Sequence, residues 1–395
     1  MAPLTVFYMS ILGIPKYFEA SSKRIGNLHT SQSIPCINWT FRNMGFYVCQ
    51  AHAAYDYSVF LCKSAKETKK SNSLVIFACG LNDFGQLGGH FSPKSQQGSE
   101  TVLFPVALNL SIRNKLSFNK NWPKKKSQEP IIIAGARKYC LFYSDEKLWL
   151  TENFRVLEIN EVSNLSITQI TSGFSKSLIL TEQGEVYEFI HSLSNDCGRN
   201  YLIQKIDFSS KIVKIAASAD SFACLDEENR AFVWGSNEMQ QFGPIPRSSS
   251  AYLEKPQLLK FSPNEKIIDI KCSSESLIVL TESKKVFISD PNFENLLIPT
   301  MNYSKNNHPF MQIPDPLFNN SIIRPDCRAI AIYAGLHSAA VLNNHGEIFT
   351  WGSGDYGQLG HHDRCMQPFP RQLVIPHSVN SPNVSLGASH THILQ

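Results

Sequence analysis

Two nine-residue stretches far apart in the chain are nearly the same: Gly80-Leu-Asn-Asp-Phe-Gly-Gln-Leu-Gly88 and Gly352-Ser-Gly-Asp-Tyr-Gly-Gln-Leu-Gly360. Six of the nine positions are identical, and Phe84/Tyr356 is a conservative exchange. A weaker third copy runs from Gly235 to Gly243. Each follows a short strand-like run: Ile76 to Cys79, Ala231 to Trp234 and Ile348 to Trp351. Such a repeat confines the fold to architectures that copy one supersecondary unit and stack the copies, because a lone unit cannot bury both its faces.

A second recurring element lies upstream of the glycine turn. Its clearest copy is Ile330 to Leu342, where Gly335, His337 and Ser338 separate two apolar runs, and Gly346 then makes a tight turn into the next strand. With that template, degenerate copies emerge at 48–80 (its turn expanded by 63–73), 131–150, 167–189, 212–235 and 267–289. The position filled by glycine in the best copies is Gly80, Thr151, Ile190, Gly235, Asp290 and Gly352, at intervals of 39 to 71 residues. Six units are complete. Val384 to Leu394 begins another that stops at Gln395, and Val6 to Ser10 supplies its second half, with Ser10 at the turn-glycine position.

The pattern therefore predicts an all-β fold: a seven-bladed β-propeller forming a single domain over 1–395, closed by pairing of the N- and C-terminal strands. Long insertions are expected at 11–47, 89–130 and 291–328. A closing strand also accounts for the apolar residues 4–10 better than a secretory leader. No Lys or Arg precedes them, and no small-residue cleavage pattern follows.

Composition narrows the function. With 43% hydrophobic and 18% charged residues, the chain is not a charged, disordered one. Its net charge of +4, from 37 basic and 33 acidic residues, is too weak for a dedicated nucleic-acid binder. None of the ten cysteines forms a Cys-x-x-Cys pair, so they read as buried thiols of a reducing compartment, and the expected location is cytoplasmic and/or nuclear. No apolar stretch reaches the ~18 residues of a membrane span, so no membrane partner is expected. Walker, Gly-x-Ser-x-Gly and His-Glu-x-x-His motifs are all missing. His390-Thr-His392 places two imidazoles on one strand face but indicates no third ligand. His361-His362-Asp363 follows the Gly360 turn, where polar residues are expected. The reading is no catalytic residue, no metal and no cofactor.

Trp351-Gly-x-x-x-Tyr-Gly-Gln-Leu-Gly360, after Ala334-Gly-x-His-Ser338, resembles the repeat of the regulator of chromosome condensation superfamily. No Trp-Asp dipeptide occurs, unlike WD-type blades, and the single Gly88-Gly89 pair is not the recurrent double glycine of kelch blades. The expected roles of the motif residues are structural. Gly80, Gly85, Gly88, Gly235, Gly243, Gly335, Gly352, Gly357 and Gly360 let the chain turn, beside Trp234 and Trp351. Gln86 and Gln358 are expected to bond loop backbone, and His337 the backbone of an adjacent blade.

The resemblance implies a non-enzymatic scaffold whose loops bind another protein, with the propeller itself monomeric. Two relatives of that kind are a fungal killer-toxin-insensitivity and alpha-tubulin-suppressor adaptor and an animal partner of a JmjC-type demethylase. They point to tRNA-modification, translation-related or chromatin complexes. The alternative is a guanine-nucleotide exchange factor for a small Ran-like GTPase, the founding member's role. Exchange needs no covalent chemistry, so a missing catalytic motif does not count against it. Trp122, Lys124, Lys125 and Lys126, in the second insertion, could form an import signal or a contact for an acidic partner; the bland alternative is a solvated loop.

Overall fold

The structure is a computed structural model that describes residues 9–12, 45–64, 74–87, 101–107, 131–144, 146–153, 155–162, 164–191, 200–243, 251–261, 265–289, 310–313, 327–361, 363–374 and 382–394. Its chain segments divide into two compact units: Met1–Leu165 with Asp355–Arg364 and Ile375–Gln395, and Ser166–Gly354 with Cys365–Val374.

The first unit opens with β1 (Met9–Leu12). One four-stranded antiparallel sheet follows, of β2 (Phe46–Ala53), β3 (Tyr57–Ser64), β4 (Leu74–Leu81) and β5 (Thr101–Ala107). The next is β6 (Ile132–Gly135), β7 (Cys140–Ser144), β8 (Lys147–Glu152) and β9 (Arg155–Ile159). The second unit repeats the arrangement four times. Its sheets are β10 (Ile167–Ser172), β11 (Lys176–Thr181), β12 (Val186–His191) and β13 (Tyr201–Ile206), then β14 (Ile212–Ser218), β15 (Ser221–Asp226), β16 (Ala231–Ser236) and β17 (Tyr252–Leu258). The remaining two are β18 (Ile267–Cys272), β19 (Leu277–Thr281), β20 (Val286–Ile288) and β21 (Met311–Gln312), and β22 (Ala329–Ala334), β23 (Ser338–Asn343), β24 (Ile348–Gly352) and β25 (Gln367–Gln372). Finally β26 (Asn383–Leu386) and β27 (Thr391–Leu394) return to the first unit and pair with β1.

Two expectations need correction. Six sheets are complete four-stranded blades, not seven; the sheet shared by the two chain ends has three strands among the described residues. The N-terminal strand also sits later than expected. Turn glycines oppose the first residue of the middle strand, in Tyr57–Gly80, Ser221–Gly235 and Ser338–Gly352, whereas Ser10 lies opposite Ile393, well inside its strand. The expected insertions are also partly regular. Residues 89–130 contain β5, and residues 291–328 contain β21, where buried Phe310 packs edge-on to Phe261 with centroids 5.3 Å apart.

The second strand of each blade explains the unbroken apolar runs. Cys140–Ser144, Ser221–Asp226, Leu277–Thr281 and Ser338–Asn343 are buried at every position. A strand covered on both faces needs no polar alternation. Charged residues cluster at the hairpins after these strands. There Thr181, Asp226, Thr281 and Asn343 donate their N–H to the carbonyl four residues on. The fourth turn position has positive φ in all four copies: Gly184 at 81°, Asn229 at 65°, Lys284 at 68° and Gly346 at 77°. Two copies have therefore lost the glycine and kept its conformation.

Candidate functional site

The glycine turns are built from the inside out. Gly80 has φ +115°, and a Cβ there would lie 2.5 Å from the Tyr57 Cα and 2.6 Å from the Asp56 carbonyl oxygen. The loop after it is tied by two side chains. Asn82 Oδ1 accepts the Leu87 N–H at 2.8 Å. Gln86, wholly buried, accepts the Phe84 N–H at 3.0 Å through Oε1 and donates from Nε2 to the Leu81 carbonyl at 2.8 Å. Thr151 Oγ1 then donates to the Gln86 carbonyl at 2.7 Å, joining the loop to the neighbouring blade.

The weak third copy uses the same wiring. Asn237 Oδ1 accepts from Phe242 at 2.7 Å, and its Nδ2 donates to the Gly243 carbonyl at 3.0 Å. Gln241 accepts from Met239 at 3.1 Å and donates to the Ser236 carbonyl at 2.8 Å. Gln358 accepts from Tyr356 at 2.9 Å. Gln240 holds φ +57° where Gly85 and Gly357 have 65° and 78°. Asn82, Asn237 and Gln241 were missed by the sequence reading, although their spacing from the turn glycine gave the signal. Gln86→Ala is expected to strand the buried Leu81 carbonyl and Phe84 amide, at about 2–4 kcal/mol. A thermal melt of that variant checks it.

Other motif residues take related places. Trp234, buried, stacks on Phe222 with centroids 5.8 Å apart. Trp351 is buried in an aliphatic cluster with Ile332 and Val341. Gly335 donates its N–H to the Ser338 carbonyl at 2.8 Å. The His337 carbonyl accepts from Ser353 at 2.8 Å, 2.4 Å from where a Gly352 Cβ would sit. The His337 ring does not bond neighbouring backbone as expected. Its Nδ1 lies 2.9 Å from Ser274 Oγ and 3.0 Å from Glu275 Oε1, two side chains of the β18–β19 turn. Gly360 donates to the Gly357 carbonyl at 3.1 Å. Gly88, Trp122, Lys124, Lys125 and Lys126 lie outside the described residues.

His390 and His392 share one hydrogen-bond partner. Both present Nε2 to a single hydroxyl, Ser58 Oγ, at 2.9 and 2.8 Å. A hydroxyl has one proton, so it donates to one ring and accepts from the other, which suits two neutral imidazoles of opposite tautomer. His52 Nε2 accepts the Gly135 N–H at 3.0 Å, so that nitrogen carries no proton and the ring is neutral. Burial lowers His52 and His390 to about 4 and His392 well below its ordinary value, with the two other histidines adding repulsion to His392. The cluster thus ties the terminal sheet to β3 and the β2–β3 blade to β6. Among the described residues no group of three His, Cys, Asp or Glu is arranged to hold a metal ion. Burial also raises the Cys79 and Cys272 thiols to about 12, leaving them inert at neutral pH. No described helix is long and apolar enough to cross a membrane.

Repeated four-stranded blades, asparagine- and glutamine-tied glycine turns and two chain ends sharing one sheet define a class: the β-propeller. The Regulator of chromosome condensation (RCC1) repeat matches residues 345–394. A human RCC1-like G exchanging factor-like protein is 25% identical over 355 residues, covering 83% of this chain and 72% of its own length. Its mouse counterpart is 24% identical over 410 residues, covering 93% and 82%. The crystal structure of human WBSCR16 superposes with a TM-score of 0.72 at 20% identity, covering 98% of each chain. That of Prp20p from Saccharomyces cerevisiae, described with its binding to Gsp1p and histones, gives 0.70 at 14% identity, covering 99% and 92%. The chain carries an RCC1 repeat at its C-terminal end and is similar to RCC1-like proteins along most of its length, and its fold is an all-β propeller.

Proposed function

We propose that this protein acts without covalent chemistry, binding a small GTPase through its loops and speeding release of the bound guanine nucleotide. The observation that carries this reading is the likeness, along 83% of the chain, to a protein named as G exchanging factor-like. The geometry suits it. Loops tied by Gln86 and Gln241 are held at both ends by buried hydrogen bonds, which limits the entropy lost on docking. Exchange then requires only that the protein bind the nucleotide-free GTPase more tightly than the loaded form. A 100-fold faster release corresponds to about 2.7 kcal/mol of preferential stabilisation of the path to the empty state.

A pure adaptor is the second reading, favoured by the divergence of the turn loops, of which Gly235–Gly243 lacks the middle glycine. Release of a fluorescent GDP analogue from a panel of small GTPases, Ran among them, separates the two. At least one member should lose nucleotide ten-fold faster or more with stoichiometric protein. Unchanged release across the panel, together with a stable complex with a non-GTPase, would leave the adaptor. Cytoplasmic and nuclear residence is part of the proposal; deleting residues 118–127 should lower nuclear levels if the lysines are an import signal.

A further inference from the structure

The outermost strand of a blade exposes one row of backbone N–H and C=O groups to whatever comes next, and proteins usually blunt such edges with prolines, bulges or very short strands. Three blades follow that rule in one way. β5, β17 and β25 each set three residues against one of the preceding strand, between Ala78 and Gly80, Val233 and Gly235, and Thr350 and Gly352. The last of the three residues is a proline every time: Pro105, Pro256 and Pro370. β21 is only two residues long.

β9 and β13 break the rule. Neither contains proline, and both pair in unbroken register. They belong to the blades whose glycine position has become Thr151 or Ile190, whereas the blade in which it has become Asp290 keeps the short β21. β13 is the longer of the two, running Tyr201 to Ile206 opposite His191 to Val186.

The direction of its backbone groups follows from its neighbours. His191 donates its N–H to Ser175, and the Glu185 carbonyl accepts from Thr181, so odd-numbered residues of β12 face β11. Val186, Glu188 and Ile190 therefore face β13, and their partners Ile206, Gln204 and Leu202 face back. Ile203 and Lys205 are left pointing N–H and C=O away from the blade. The polar side chains of this edge are already engaged within it. Lys205 pairs with Glu185 at 2.7 Å, and Gln204 donates to Glu188 at 2.7 Å. Leu202 remains 56% exposed.

We infer that the outer edge of β13 is a docking site for an extended, uncharged segment of a partner protein, which adds to the blade as a fifth strand with an aliphatic side chain against Leu202. The backbone ladder selects an extended chain, and the neutralised Lys205 selects against charge opposite it. The site is separate from the loops proposed to meet a GTPase and does not depend on that reading.

A fluorescein-labelled peptide of alternating threonine and valine, titrated against the full chain by anisotropy, tests this. Saturable binding is expected, weakened ten-fold or more by Ile203→Pro, which removes an outward N–H and leaves the β12 ladder whole. Leu202→Asp should weaken it similarly. The same peptide N-methylated at alternate amides should fail to bind the parent protein, a readout that does not depend on how a variant folds. Equal binding by parent and Ile203→Pro, equal binding of the methylated peptide, or no saturation up to millimolar peptide would overturn the inference. So would a dimer in sedimentation that Ile203→Pro dissolves while the peptide fails to bind, since the edge would then serve a second copy of the chain.

Discussion

Gly235→Ala is expected to lose about 3–5 kcal/mol, while Gly45→Ala loses about 1 kcal/mol, although both glycines have positive φ. At Gly235, φ is +92° and a Cβ would lie 2.0 Å from the Asp220 carbonyl oxygen and 2.9 Å from the Phe222 ring. Neither can yield cheaply, because the Asp220 carbonyl accepts the Ser236 N–H at 2.8 Å and Phe222 stacks on Trp234 in the core. Gly45, at +81°, has nothing within 4 Å, so only the strained backbone counts. Melting midpoints decide it. A drop of roughly 4–6 °C is expected for the first variant and about 1 °C for the second. Equal drops would mean that the turn is not packed against the neighbouring hairpin as described.

Acidification should destabilise the protein well above the carboxylate range. His52, His390 and His392 are neutral in the fold, with His52 and His390 held near 4. Unfolded histidine takes a proton near 6.5, so above that pH neither state is charged and the cluster has no pH dependence. Between about 6.5 and 4 the unfolded chain binds protons that the folded one refuses. Stability therefore falls with decreasing pH, by up to about 1.4 kcal/mol per unit for each histidine. By pH 5 the loss from His52 and His390 alone is about 4 kcal/mol. His390→Gln keeps a polar side chain near Ser58 and should flatten the melting temperature against pH by one proton. A slope unchanged from wild type between pH 6.5 and 5 would show that His390 is not held neutral.

The repeat was legible because its glycine turns need backbone that a Cβ would block, as at Gly80 and Gly352, and such positions tolerate few residues. Degenerate turns hid for a related reason. Asn229, Lys284 and Gln240 hold positive φ without glycine, so the conformation persists where the signature does not. The fourth strands were illegible. They lie at sheet edges, half exposed and, in Gln367–Gln372 and Tyr252–Leu258, broken by proline, which obscures both periodicity and propensity. The third-strand register of the terminal sheet was misplaced because residues 4–12 are apolar almost throughout and fix no alternation. His390 and His392 were visible as a pair, but Ser58 and His52, more than 300 residues earlier, have no sequence mark that joins them.

Gel filtration of the protein with a candidate GTPase, stripped of nucleotide or loaded with GDP, separates an exchange factor from a passive binder. Differential affinity is the whole of an exchange factor's chemistry. Co-elution with the stripped GTPase only is expected, with dissociation of that complex when GTP is added. Equal co-elution with stripped and loaded forms, unaffected by GTP, would contradict it.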